Sequence, residues 1–276
     1  MAEEFWKSSP FGVDSIFHPS WEDKQKKRED IASDVLEISK LLDPSMSNEK
    51  TGLSKYRVLL FGGVDVYNDG SYGSNKTLGT YLEKIALSEK YKIPLQKGDI
   101  KVVNSPLFGN EIDGKDIYKD ILNLVKKNFD TKNGILILYG YSWGGQLLME
   151  FLKFFKESNI NINLLLTVDS AKGYVSFSVN NDVTSNVKYN LNLYQTKKSL
   201  IGSKGGPNEG ANVKNVNLTG EKTSKGEDVT HGNIDEYTLL YCAQVIAYAL
   251  KEIYSFNDKS ESLIKKDIKI YEAQGF

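Results

Sequence analysis

The sequence predicts an α/β fold, a mainly parallel central sheet with helices on both faces behind an N-terminal helical extension. Three observations lead there. Short apolar runs take turns with stretches of helical periodicity from Arg57 to Val168. The runs are continuous rather than alternating, the mark of parallel strands covered on both sides. The composition is that of an ordinary folded chain: 276 residues, 40% hydrophobic and 26% charged, suited to one large domain or at most two small ones.

The elements follow in chain order. Residues 1–20 mix aromatics with Pro10, Gly12 and Pro19 and read as an irregular lead-in. Ile31, Val35, Ile38, Leu41 and Leu42 recur at helical spacing, predicting a helix from Trp21 that Asp43-Pro44 ends. A polar linker, 45–54, follows. Residues 1–55 are therefore expected to form an extension, a cap or docking segment, and 56–276 the main domain. Arg57-Val58-Leu59-Leu60-Phe61, closed by Gly62-Gly63, predicts the first strand. Val64 to Thr77 is a polar loop. Leu78 to Ile85 predicts a helix, Ile100 to Val103 a strand, and Ile117 to Phe129 a second helix. Gly134 to Tyr139 is the next strand, Gly145 to Glu157 a helix, and Ile162 to Val168 another strand.

The second half is looser. Val187 to Tyr194 alternates polar and apolar residues, predicting a strand with one wetter face near the sheet edge. Val213 to Leu218 is a further strand, and the Gly- and Lys-rich 197–212 between them reads as a mobile loop. Ile234 to Tyr254 predicts a long helix with Leu239, Leu240, Ala243, Ile246, Ala247 and Leu250 on its buried stripe. The charged tail from Ser255 fits helix or strand equally well.

Composition excludes several functions. Lys plus Arg is 35 against 36 Asp plus Glu, a net charge of −1. With no basic excess to neutralise phosphates, nucleic acid is not an expected partner. The single cysteine, Cys242, rules out an intramolecular disulfide and a thiolate zinc cluster. Two histidines, His18 and His231, rule out a three-histidine metal site, and no metal or cofactor is expected. The start, Met1 to Lys7, is acidic and lacks a signal-peptide core. No apolar run approaches the ~20 residues that cross a bilayer. The expected location is cytoplasmic by default, with secretion independent of a signal peptide left open.

One motif carries chemistry. Gly140-Tyr141-Ser142-Trp143-Gly144 is G-x-S-x-G, with a buried strand leading in and a helix leading out. A serine on so tight a turn sits in strained backbone, and the flanking glycines keep side chains from colliding with the neighbouring strand and helix. Serine becomes nucleophilic when a base takes its proton, and a carboxylate fixes the base's tautomer. In proteins with this elbow the partners follow in the order serine, acid, histidine. His18 lies before the serine. His231 lies after the last strand and just before the long helix, where a base could reach Ser142. The acid should end a strand between them. The strand ending at Tyr194 is followed by Gln195-Thr196, whereas Thr167-Val168 runs straight into Asp169. Asp169 is the expected acid and Asp182 the reserve; Asp228 is too near His231 along the chain. The oxyanion donors are expected at the backbone N–H groups of Trp143 and Val64, with Gly63 close behind.

These residues resemble the α/β-hydrolase superfamily, in particular its lipase and esterase branches, over about Tyr56 to Tyr254. An acid directly after the strand that follows the nucleophile resembles pancreatic-type lipases; most of the superfamily places it one strand later. No histidine precedes Gly62-Gly63, unlike the HG and HGGG oxyanion motifs, and residues 1–55 match nothing in the family. The resemblance implies a serine hydrolase, lipase or carboxylesterase, that cleaves a small-molecule or lipid ester through a Ser142–His231–Asp169 triad and an acyl-enzyme, without a cofactor. Tyr141, Phe108 and Tyr174 are the expected substrate contacts, with Trp143 on the same apolar rim and transient membrane-surface contact open. The loops 64–77, 170–186 and 196–212 would surround the site and could act as a lid. Alternatives are a secreted lipase-type effector acting on membrane phospholipid, a thioesterase, or a binding protein on an inactive hydrolase fold.

Overall fold

The computed structural model describes residues 52–65, 74–88, 90–106, 115–171, 180–197 and 205–275. The expected helix of 21–43, and His18, Phe108 and Tyr174, lie outside them. Six strands form one sheet: β1 (Tyr56–Asp65), β2 (Ile100–Pro106), β3 (Ile135–Tyr141), β4 (Leu164–Val168), β5 (Asn190–Tyr194) and β6 (Val213–Asn217). Their spatial order is β2-β1-β3-β4-β5-β6, and every neighbouring pair is parallel. Five helices accompany them among the described residues: α1 (Ser74–Leu87), α2 (Lys115–Lys126), α3 (Ser142–Glu157), α4 (Ile234–Leu250) and α5 (Glu261–Gly275).

The helices divide between the two faces, as the unbroken apolar strands require. Val58, Leu60, Ile137, Tyr139 and Leu166 point to one side, where Leu78 of α1, Ile246 of α4 and Ile268 of α5 pack on them. Leu59, Phe61, Leu136, Leu138 and Leu165 point to the other, against Val125 of α2 and Leu152 and Phe155 of α3. No helix among the described residues is long and apolar enough to cross a membrane.

The sheet order reverses at β1. The chain steps from β1 outward to β2, then returns to build β3 on the opposite side. Such a switch point opens a crevice at the carboxyl ends of its two strands, the usual binding place in an open α/β sheet.

Four local expectations differ from the structure. Gly62-Gly63 does not close β1. The strand continues to Asp65, and its register against β2 slips between Phe61 and Val64, a bulge that the side-chain-free residues allow. The polar face of β5 is not wet: Asn190 and Asn192 are buried, because β6 occupies the edge and segment 205–212 crosses over them. Residues 205–212 are accordingly fastened to the sheet rather than forming part of a mobile loop. Lastly, α4 is buried on nearly every side, Thr238, Cys242 and Gln244 included, because α1 and α5 both pack on it. The ambiguous tail is helical, with Ile264 and Ile268 turned inward.

Candidate active site

β3 delivers Ser142. All its residues to Gly140 are buried, and the chain then turns into α3 at once, holding Ser142 at a φ of +53°. That left-handed value is uncommon outside glycine and marks a strained position. Close packing makes the turn possible. A Cβ on Gly140 would lie 2.6 Å from the Gly145 Cα, and one on Gly144 only 2.2 Å from the Gly62 carbonyl oxygen. A Cβ on Gly145 would meet the Ser170 Oγ at 2.2 Å. The Ala171 N–H donates to the Ser142 carbonyl at 3.1 Å, tying the elbow to the exit of β4.

Asp169 follows β4 immediately, also in left-handed backbone at a φ of +44°. Its N–H donates to the Leu193 carbonyl of β5 at 2.7 Å. Its carboxylate is completely buried and accepts four hydrogen bonds. Oδ1 receives the backbone N–H groups of Gln195 at 3.0 Å and Gly205 at 2.8 Å. Oδ2 receives the Gln195 Nε2 at 2.8 Å and stands 2.8 Å from the His231 Nδ1. A buried carboxylate is tolerated on this condition, with its lone pairs met by donors.

His231 joins the two strand ends. Its Nε2 is 2.8 Å from the Ser142 Oγ, and the residue is only 7% exposed. A carboxylate only accepts, so Nδ1 bears the proton and Nε2 offers its lone pair to the serine. Tyr141, expected as a substrate contact, turns its hydroxyl to donate to the His231 carbonyl and lays its ring 5.5 Å from the imidazole. Burial first, and then the charges of Asp235 and Asp169, push its phenol well above the ordinary range, so it stays a neutral donor.

The residues expected to supply oxyanion donors, Trp143, Gly63 and Val64, sit on two elements. Trp143 is in the first turn of α3, where backbone N–H groups have no partner within the helix. Across the switch point, a Cβ on Gly63 would stand 3.6 Å from the Ser142 Cβ, so the Gly62-Gly63 bulge passes beside the serine. Val64 continues in β1 opposite Ser105 of β2.

The other acids are elsewhere. Asp182 is exposed and bridges to Glu209. Asp228 is held by Lys197 at 2.8 Å and Lys222 at 2.9 Å, whose hydrogen bonds lower its carboxyl to about 2. Two contributors escaped the sequence reading: the Gln195 side chain and the Gly205 N–H. Gln195 occupies the residue after β5, an exit without a carboxylate.

Neither a protein-family profile nor a curated protein matches the sequence. Among solved structures, the chain is similar to RedJ with a PEG molecule bound in the active site, at 9% identity and a TM-score of 0.37, over 69% of this chain and 89% of that one. It is also similar to an arylesterase, at 9% identity and a TM-score of 0.32, over 80% of this chain and 77% of that one.

Proposed function

We propose that the chain is a serine hydrolase that cleaves a carboxylic ester of lipase or carboxylesterase type through an acyl-enzyme. One observation carries this reading: the unbroken relay in which Ser142 Oγ lies 2.8 Å from His231 Nε2, and His231 Nδ1 lies 2.8 Å from a buried Asp169. Ser142 Oγ attacks the ester carbonyl while its proton passes to His231 Nε2. Asp169 holds the imidazole in the reactive tautomer and stabilises its positive charge. The N–H of Trp143 and one from the Gly63-Val64 stretch bind the tetrahedral oxyanion. Collapse of that intermediate breaks the bond to the alkoxy oxygen, which leaves as the alcohol carrying the proton from Nε2. Water, deprotonated by the same nitrogen, then attacks the acyl-Ser142 carbonyl and releases the acid.

Hydrolysis of a p-nitrophenyl ester series tests the reading. Ser142→Ala and His231→Ala are each expected to lower kcat by about 10,000-fold or more, since the triad acts as a unit. Retention of near-native turnover by either variant would end it.

A further inference from the structure

We propose that Gln195 is a positioning residue, a clamp that fixes the Asp169 carboxylate in the one orientation that His231 Nδ1 can use. The inference rests on the serine-hydrolase reading and extends it by one residue. Gln195 is completely buried at the end of β5, beside the end of β4 that carries Asp169. It grips both carboxylate oxygens at once, its backbone N–H on Oδ1 at 3.0 Å and its Nε2 on Oδ2 at 2.8 Å. Rotation of the carboxylate breaks both bonds together. Oδ2 is the oxygen that faces His231, so the amide sets the acceptor that the imidazole meets.

The far end of the same side chain strengthens the case. Among the described residues the buried Gln195 Oε1 has no hydrogen-bond partner, an unfavourable state for a carbonyl oxygen. Turning the amide over would bring that oxygen against the anionic Asp169. The orientation is therefore set by the donor end alone. An amide is also the side chain that fits: a carboxylate here would stand 2.8 Å from a buried carboxylate, and the two could not both ionise. Among the described donors to Asp169 other than His231, only this one belongs to a side chain and is removable by substitution.

Gln195→Met keeps the length and removes the donor. In the full chain, kcat on a p-nitrophenyl ester is expected to fall about 10- to 100-fold, the weight of one charge-assisted hydrogen bond, with KM within about twofold. In a His18→Ala background, where His231 is the sole imidazole, its low-field Nδ1–H proton resonance should shift and exchange faster with water. Gln195→Glu supplies a donor only while its introduced acid is protonated. Its activity relative to the native chain should therefore be highest at the acid end of the profile and decline as pH rises. A folded Gln195→Met with native kcat and an unmoved resonance overturns the clamp and leaves the hydrolase reading intact. If Gln195→Met does not fold, Gln195→Glu decides, and a constant activity ratio across pH overturns the clamp. A native chain that hydrolyses no ester and takes no fluorophosphonate label brings down the hydrolase reading and the clamp with it.

Discussion

Ser142 and Asp169 share a feature besides the roles proposed for them: each takes left-handed backbone at the carboxyl end of a strand, whereas His231 lies in the turn just before α4. The sequence shows such positions, because a continuous apolar run announces a strand and the next residue is its exit. Gln195 occupies an equivalent exit and was passed over, since an amide has no acid–base chemistry and its part emerges only through Asp169. The residue-scale test of the relay is Asp169→Asn, which preserves shape but favours the wrong imidazole tautomer. It is expected to reduce kcat by about 1,000- to 10,000-fold with little change in melting temperature. A second test concerns the elbow's packing. Gly144→Ala sets a methyl 2.2 Å from a backbone oxygen that no rotamer change relieves. It should destabilise the fold by about 1–3 kcal/mol in chemical denaturation and lower activity by displacing the serine.

At the scale of elements, a polar ladder crosses one face of β4, β5 and β6. Thr167, Asn192 and Asn215 lie side by side across β4, β5 and β6. Thr167 Oγ1 donates to Asn192 Oδ1 at 3.0 Å, and Asn192 Nδ2 donates to Asn215 Oδ1 and to the Gly206 carbonyl, both at 2.8 Å. Asn208 lies over them, its Nδ2 3.0 Å from Asn190 Oδ1 and 3.1 Å from Thr167 Oγ1. The ladder thereby seats the segment whose Gly205 N–H donates to Asp169 Oδ1. Asn208→Ala is expected to cost about 1–3 kcal/mol of stability, the desolvation of partners left buried without a donor. It should also lower kcat by releasing Gly205, while surface polar substitutions of the same segment leave kcat unchanged. The strand β5 was legible from its period of two, but its polar face was not. Alternation tells that the two faces differ, and it does not distinguish water from a buried hydrogen-bonded cover. The same limit explains α4. A stripe was visible, whereas burial all round depends on α1 and α5, remote in sequence and adjacent in space.

At the scale of the molecule, the described residues form an all-parallel sheet with its switch point at β1 and β3, and the serine, the bulge and the imidazole gather at that crevice. The protein also buries several titratable groups in whole or in part. Burial pushes the Cys242 thiol from its ordinary value of 9.0 up to about 12, and the Tyr254 phenol from 10.0 to about 12. Burial raises Tyr139, Tyr237 and Tyr241 as well. In the unfolded chain these groups ionise at their ordinary values, so between pH 9 and 12 the folded state binds more protons than the unfolded one. Stability should fall steadily above about pH 9 in equilibrium denaturation, and Cys242 should react with a thiol reagent only after unfolding. A flat stability profile to pH 11 would contradict the burial of these groups.

The central claim is that Ser142 is a nucleophile activated by His231, and peptide mapping by mass spectrometry after exposure to a fluorophosphonate addresses it most directly. The expected result is one adduct, on the peptide that contains Ser142, absent in Ser142→Ala and strongly slowed in His231→Ala. A native chain left unlabelled, or labelled on another serine with Ser142 untouched, would contradict the account.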